Sequence, residues 1–259
     1  MTKKIIFQIV CVIALLISHF NLSYNFNEAW WHSAFGFCVI LLFGSLIWGG
    51  SFPFVSGLRM EASVIARSAG LAIGITVISF YCMWLIGKSS HITIHLSSIK
   101  SYFHNAVYIV NEEIILGSMM LYFMTNRFKV KRLVASLSLA VVVSAAHFIL
   151  YKFYFRDKGN LEITTLLTLV LTVFVKNNLI IRYRHIGYAW ALHFGWMVVM
   201  YGSDHFYSSG RRLTDLEKFN LYLGSPVVVI VSALMATVSY YYLDIQLRKR
   251  KEIIDGAVS

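Results

Sequence analysis

Glu112 and Glu113 stand side by side inside an apolar run, YIVNEEIILGSMMLYFM, residues 108–124. Carboxylates are costly in hydrocarbon, so an ionisable residue inside such a run marks a functional site by default. Two more ionisable groups share that setting: His147 in VVVSAAHFIL and His193 in AWALHFGWMVV. Carboxylates and imidazoles together support three chemistries. They activate water by general-base catalysis, bind a divalent metal ion, or relay protons in a transporter.

The elements that must position them are membrane helices. The chain has 259 residues, 58% hydrophobic and only 14% charged, the profile of a polytopic membrane protein. Eight apolar stretches read as spans: 5–20, 33–50, 68–87, 106–124, 133–152, 162–180, 185–201 and 226–243. The expected fold is all-α, about eight transmembrane helices in one domain covering 1–259, with the polar site inside the bundle. Cys11, Cys38 and Cys82 lie in apolar runs, with no disulfide or metal spacing.

The net charge of +11 does not point to nucleic acid, because most basic residues flank the spans. With the N-terminus placed in the cytoplasm, the cytoplasmic segments hold Lys3, Lys4, Arg59, Arg67, the run RFKVKR (127–132), Lys176, Arg182, Arg184 and the tail RKRK (248–251). That is 15 of the 23 Lys and Arg, against 8 outside. The bias predicts both termini in the cytoplasm. Trp30 and Trp31 at one end of the second span, and Trp48 at the other, fit interfacial anchors. Thr214 to Glu217 reads as a capping box opening a surface helix, and Ser225–Pro226 as the start of the last span. The stretch HITIHL alternates, as in a wet outer loop.

Depth and face then constrain the site. With these spans, all four groups fall about 8–12 Å below the outer boundary. Ser136, Ala140 and Ser144 form a stripe of small residues leading to His147, and Gly187, Ala191 and Gly195 form another on the span carrying His193. Such stripes draw helices together. Glu112 and Glu113 are about 100° apart on an α-helix, so they are expected to face different neighbours. His19, at the outer end of the first span, has no such company.

Glu-Glu on one helix, a single histidine on the next, then HFGW on a later helix resembles the CPBP group of intramembrane proteases (CAAX proteases and bacteriocin-processing enzymes, also called Abi proteins). That family's signature is EExxxR, FxxxH and HxxxN. The resemblance implies Glu112 as the water-activating carboxylate, His147 as its partner, His193 as support for the oxyanion or leaving group, and Glu113 in a supporting role. Three positions depart from the pattern. Gly117 stands where Arg is usual, Val143 where Phe is usual, and Met197 where an oxyanion-stabilising Asn is usual. A thioether donates no hydrogen bond.

The expected function is hydrolysis of a peptide bond in a membrane-associated peptide or protein, at a multi-pass site in a bacterial plasma membrane. Lipid and the peptide are the expected partners. No cofactor is favoured, and zinc, held by Glu112, His147 and His193, is the alternative. One rival is a catalytically impaired scaffold or immunity-type protein, which Met197 favours. A proton- or metal-coupled transporter is the other, without inverted repeats to support it.

Overall fold

A backbone in hydrocarbon must satisfy its own polar groups, so apolar runs of this length become helices. The computed structural model describes residues 3–25, 31–59, 61–94, 99–149, 160–200, 206–208 and 211–256. Helix α1 spans Lys3–Asn25 and α2 Trp31–Trp48, followed by a short α3, Phe52–Ser56. Helix α4 runs over Ala62–Ser90 and strand β1 over Ile92–Ile94. Then comes one continuous helical run: α5 (Ile99–Glu112), a π-helical segment (Glu113–Met119), α6 (Met120–Tyr122) and a second π segment (Phe123–Arg127). The remaining elements are α7 (Arg132–Ile149), α8 (Ile163–Tyr183), α9 (Gly187–Met197), strands β2 (Phe206–Ser208) and β3 (Arg211–Arg212), α10 (Asp215–Leu223) and α11 (Pro226–Gly256).

Six helices among the described residues are long and apolar enough to cross a membrane: Trp31–Ser56, Ala62–Ser90, Tyr102–Arg127, Arg132–Ile149, Ile163–Tyr183 and Pro226–Leu243. Their outward side chains are apolar. Leu46, Ile73, Val77, Leu234 and Val238 are all well exposed, as on helices that face lipid. The chain is an integral, multi-pass membrane protein. Two spans are central, Tyr102–Arg127 and Ile163–Tyr183, each 61% buried against 22–33% for the other four. Around them α4 packs on α9, α7 and α11 on α8, and α2 on α5.

The small-residue stripes do bring helices close. Ser136, Ala140 and Ser144 are buried, and Ser136 Oγ donates to Asn178 Oδ1 of α8 (2.7 Å). A Cβ on Gly195 would lie 2.8 Å from the Ala72 carbonyl oxygen, so only glycine permits the α4–α9 approach. Ser79 Oγ donates to the Gly195 carbonyl at the same seam (2.7 Å).

Contacts between connections sort them onto two faces. On one, the Ile186 N–H donates to the Gly57 carbonyl (3.1 Å). Gly57 has φ +68° and any Cβ there would crowd Ser118 and Ile186. On the other face, β1, β2 and β3 form an antiparallel sheet, Thr93 opposite Tyr207 and Tyr207 opposite Arg212. The chain thus passes from one face to the other between Ile186 and Phe206, although α9 has only 11 residues. Among the described residues that sheet is the departure from an all-α chain, and β1 falls within the alternating stretch HITIHL.

The capping box is present: Thr214 Oγ1 accepts the Glu217 N–H and Glu217 Oε2 accepts the Thr214 N–H. Ser225 Oγ accepts the Val228 N–H before α11. One expectation fails: Trp48 is buried at 8% exposure, edge-on to Phe123, and is no interfacial anchor. The helical run 99–127 begins seven residues before the expected span, with Glu113 at its midpoint. Trp30, His95, Lys152, Arg156 and Lys158 lie outside the described residues.

Candidate functional site

The helix carrying the two glutamates is pinned on both sides of them. Asn111 Nδ2 donates to the Ser33 carbonyl of α2 (2.9 Å), and Ser118 Oγ donates to the Val55 carbonyl of α3 (2.8 Å). Between these anchors the turn widens to π-helical at Glu113, a local geometry frequent at functional sites. The two glutamates do not diverge as expected: a carboxylate oxygen from each, with a ring nitrogen of His193, lies within a mutual 4.8 Å. Glu112 and Glu113 are 6% and 2% exposed.

His193 is brought there by α9. His185, just before that helix, accepts the Gly187 N–H on Nδ1 (2.7 Å) and donates Nε2–H to the Arg59 carbonyl (2.6 Å). One turn into α9, Trp190 Nε1 donates to the Ala106 carbonyl of α5 (2.9 Å). The next turn carries His193, whose Nδ1 is 2.7 Å from Glu113 Oε1. A carboxylate only accepts, so Nδ1–H donates and Nε2 keeps its lone pair while the ring is neutral. Glu113 thus orients His193, as a carboxylate orients an imidazole in hydrolytic sites.

The sequence reading missed Lys176, which it counted among cytoplasmic charges. The side chain is buried on α8, with Nζ 2.6 Å from Glu113 Oε1 and 3.0 Å from His193 Nδ1. Removed from the charge bias, it leaves 14 basic residues against 8, and the sign of the bias holds. Its signal was legible: Leu179, Ile180 and Ile181 follow it, so the lysine sits a full turn inside the span. It also bears on Gly117. A Cβ there would be 3.3 Å from Glu113 Oε2 and 2.7 Å from Ile180. Position 117 adjoins the same carboxylate, and here the cation comes from α8 instead.

Glu112, Glu113, Gly117, Val143, Lys176 and Asn177 line a cavity of about 10 Å³, room for about one water molecule. With one ammonium for two carboxylates, one negative charge remains to be matched by a proton or a ligand. Lys176 lies within electrostatic reach of Glu112, as do the imidazoles of His193, His147 and His19. His19 therefore does have company; it also stacks on Tyr108, centroids 4.7 Å apart.

His147 and Met197 stand apart from this cavity. His147 donates Nδ1–H to the Val143 carbonyl of its own helix (2.8 Å), leaving Nε2 as the basic nitrogen. It is within electrostatic reach of Glu112 but outside the close carboxylate–imidazole group. Met197 packs against the apolar cluster that includes Leu192, Trp196 and Tyr222. Asn177 lines the cavity instead, one of its amide hydrogens given to the Ser136 carbonyl (2.9 Å).

No family model, curated protein or solved structure matches the chain.

Proposed function

We propose that the chain is an intramembrane endopeptidase of the kind the Glu-Glu, His, HFGW order resembles, the CPBP proteases. One observation carries the reading: two carboxylates of one helix line a water-sized cavity inside the bundle, and an imidazole from a second helix has a ring nitrogen within 4.8 Å of a carboxylate oxygen of each. Glu112, which lines that cavity, takes a proton from water held there. Glu113 holds His193 with Nε2 presented to accept or return a proton at the leaving nitrogen. His147, outside the cavity, acts on Glu112 only through its electrostatic reach from α7.

In this reading α1 and α9 complete eight crossings of a single domain, 1–259, with both termini in the cytoplasm of a bacterial plasma membrane. Lipid and a membrane-associated peptide are its partners, and no cofactor takes part. The test is turnover of a farnesylated, internally quenched peptide with a CAAX end by the purified chain in liposomes. Cleavage that disappears with Glu112→Gln supports the proposal; cleavage unchanged by that substitution overturns it.

The second reading is a catalytically impaired relative that binds a membrane peptide without cutting it. Met197 favours it, since it adds only an apolar side chain where the family places an oxyanion donor. Peptide retention without turnover in the same liposomes would select this reading.

A further inference from the structure

We infer that Lys176 is the resident cation of this site, its ammonium standing where Glu112, Glu113 and His193 would otherwise hold a divalent metal ion. These three residues are the one group among the described residues with donor atoms close enough to share an ion. Carboxylate and imidazole donors in threes, with an open fourth position, are what catalytic zinc takes. The donor chemistry fits a metal; the occupied volume does not.

Two of the atoms a metal needs are already committed. Lys176 Nζ lies 2.6 Å from Glu113 Oε1 and 3.0 Å from His193 Nδ1, and His193 Nδ1–H is given to that same Glu113 oxygen. Zinc bonded to that oxygen and that nitrogen would sit about 2.0–2.2 Å from each. It would then lie against Nζ, two cations in contact inside a poorly screened interior. Lys176 has no easy retreat: its side chain is 6% exposed. Leaving would strand Glu113, itself buried, without a counter-charge. Turning His193 over would put ring carbon Cδ2 against Glu113 Oε1 in place of Nδ1–H and so remove that hydrogen bond. The ammonium thus does for Glu113 what a metal would do, without a ligand-exchange step.

The inference concerns which cation the site holds and stands apart from which bond is cut. Its corollary is that a neutral residue at 176 exposes a latent metal site. The experiment uses the full chain in detergent micelles, dialysed against Zn²⁺ and, separately, Co²⁺. Bound ion is counted by mass spectrometry and Co²⁺ coordination is read by visible absorption. Wild type and Lys176→Arg are expected to retain no stoichiometric ion. Lys176→Ala and the near-isosteric Lys176→Met are expected to gain about one ion per chain, with a low-coordinate Co²⁺ spectrum. Adding His193→Ala to either should abolish the gain. A neutral variant that unfolds alone but refolds with Zn²⁺ also supports the inference. Wild type holding one ion per chain that is lost with Glu113→Gln or His193→Ala would overturn it. So would folded neutral variants that bind no more metal than wild type, or neutral variants that stay unfolded with Zn²⁺ present. Failure of the peptide-cleavage assay leaves these binding outcomes untouched, so the two ideas fall separately.

Discussion

Lys176 and Glu113 form an ion pair across two helices, Nζ to Oε1 2.6 Å, with side chains only 6% and 2% exposed. Breaking a pair this buried leaves an uncompensated charge, which costs about 3–5 kcal/mol. Glu113→Gln should therefore lower thermal stability strongly, read by fluorescence-detected unfolding in detergent. Lys176→Met in the Glu113→Gln background should recover part of the loss, because both charges are then gone. A double variant as unstable as the single one would contradict the pairing energetics.

Glu112→Gln is expected to behave differently. Its carboxylate lines the water-sized cavity rather than the ion pair. The fold should survive while peptide turnover falls about 10²–10⁴-fold, the usual contribution of a positioned general base. Unfolding midpoint and turnover measured on one preparation separate the two glutamates.

Met197→Asn, on the family pattern alone, would be expected to add an oxyanion donor. The packing of Met197 against the cluster of Leu192, Trp196 and Tyr222 gives the opposite expectation. The amide would enter an apolar cluster at a cost of about 1–3 kcal/mol, with no gain in turnover. A rise in the rate of cleavage would show that residue 197 reaches the reacting carbonyl after all.

Gly195→Ala tests the α4–α9 seam. The added methyl would press on the Ala72 carbonyl oxygen at 2.8 Å, a backbone atom that cannot swing aside. A loss of about 1–3 kcal/mol is expected, as for overpacking elsewhere. Turnover should fall further than stability predicts, since His193 lies two residues away on the same helix. Stability unchanged would mean that the helices separate freely.

Sidedness has its own test. The contact of residue 186 with residue 57, and the pairing of 92–94 with 206–208, put these connections on opposite faces. Single cysteines at Phe128 and Ser208, in a chain with Cys11, Cys38 and Cys82 replaced, should label from opposite sides of a sealed vesicle. In the proposed orientation, labelling at 128 is expected from the cytoplasmic side. Labelling of both from one side would refute the arrangement.

Much of this was legible in the sequence, for reasons specific to each residue. Glu112, Glu113 and His193 stood out because polar groups are rare in apolar runs, and the small-residue stripes showed which helix faces meet. Lys176 did not, because counting basic residues for topology ignores how far along a helix each one lies. The convergence of the glutamates was invisible too. It depends on side-chain directions within a helix that tertiary hydrogen bonds from Asn111 and Ser118 hold against its neighbours. His19 gained a role only through the packing of α1, which no local pattern encodes. Length alone gave α9 as a full span; its 11 residues reflect a helix sheltered by α4 and α5.

The 63-residue separation of Glu113 and Lys176 also sets a problem in time. Ribosomes add about 5–20 residues per second, so the lysine is made roughly 3–13 s after the glutamates. Through that interval the two glutamates have no Lys176 to pair with. A nascent chain stopped before residue 176 should cross-link to the insertion machinery, and one extended past α8 should be released into lipid. The ion pair is in this sense an assembly signal, reporting that the second half of the bundle has arrived.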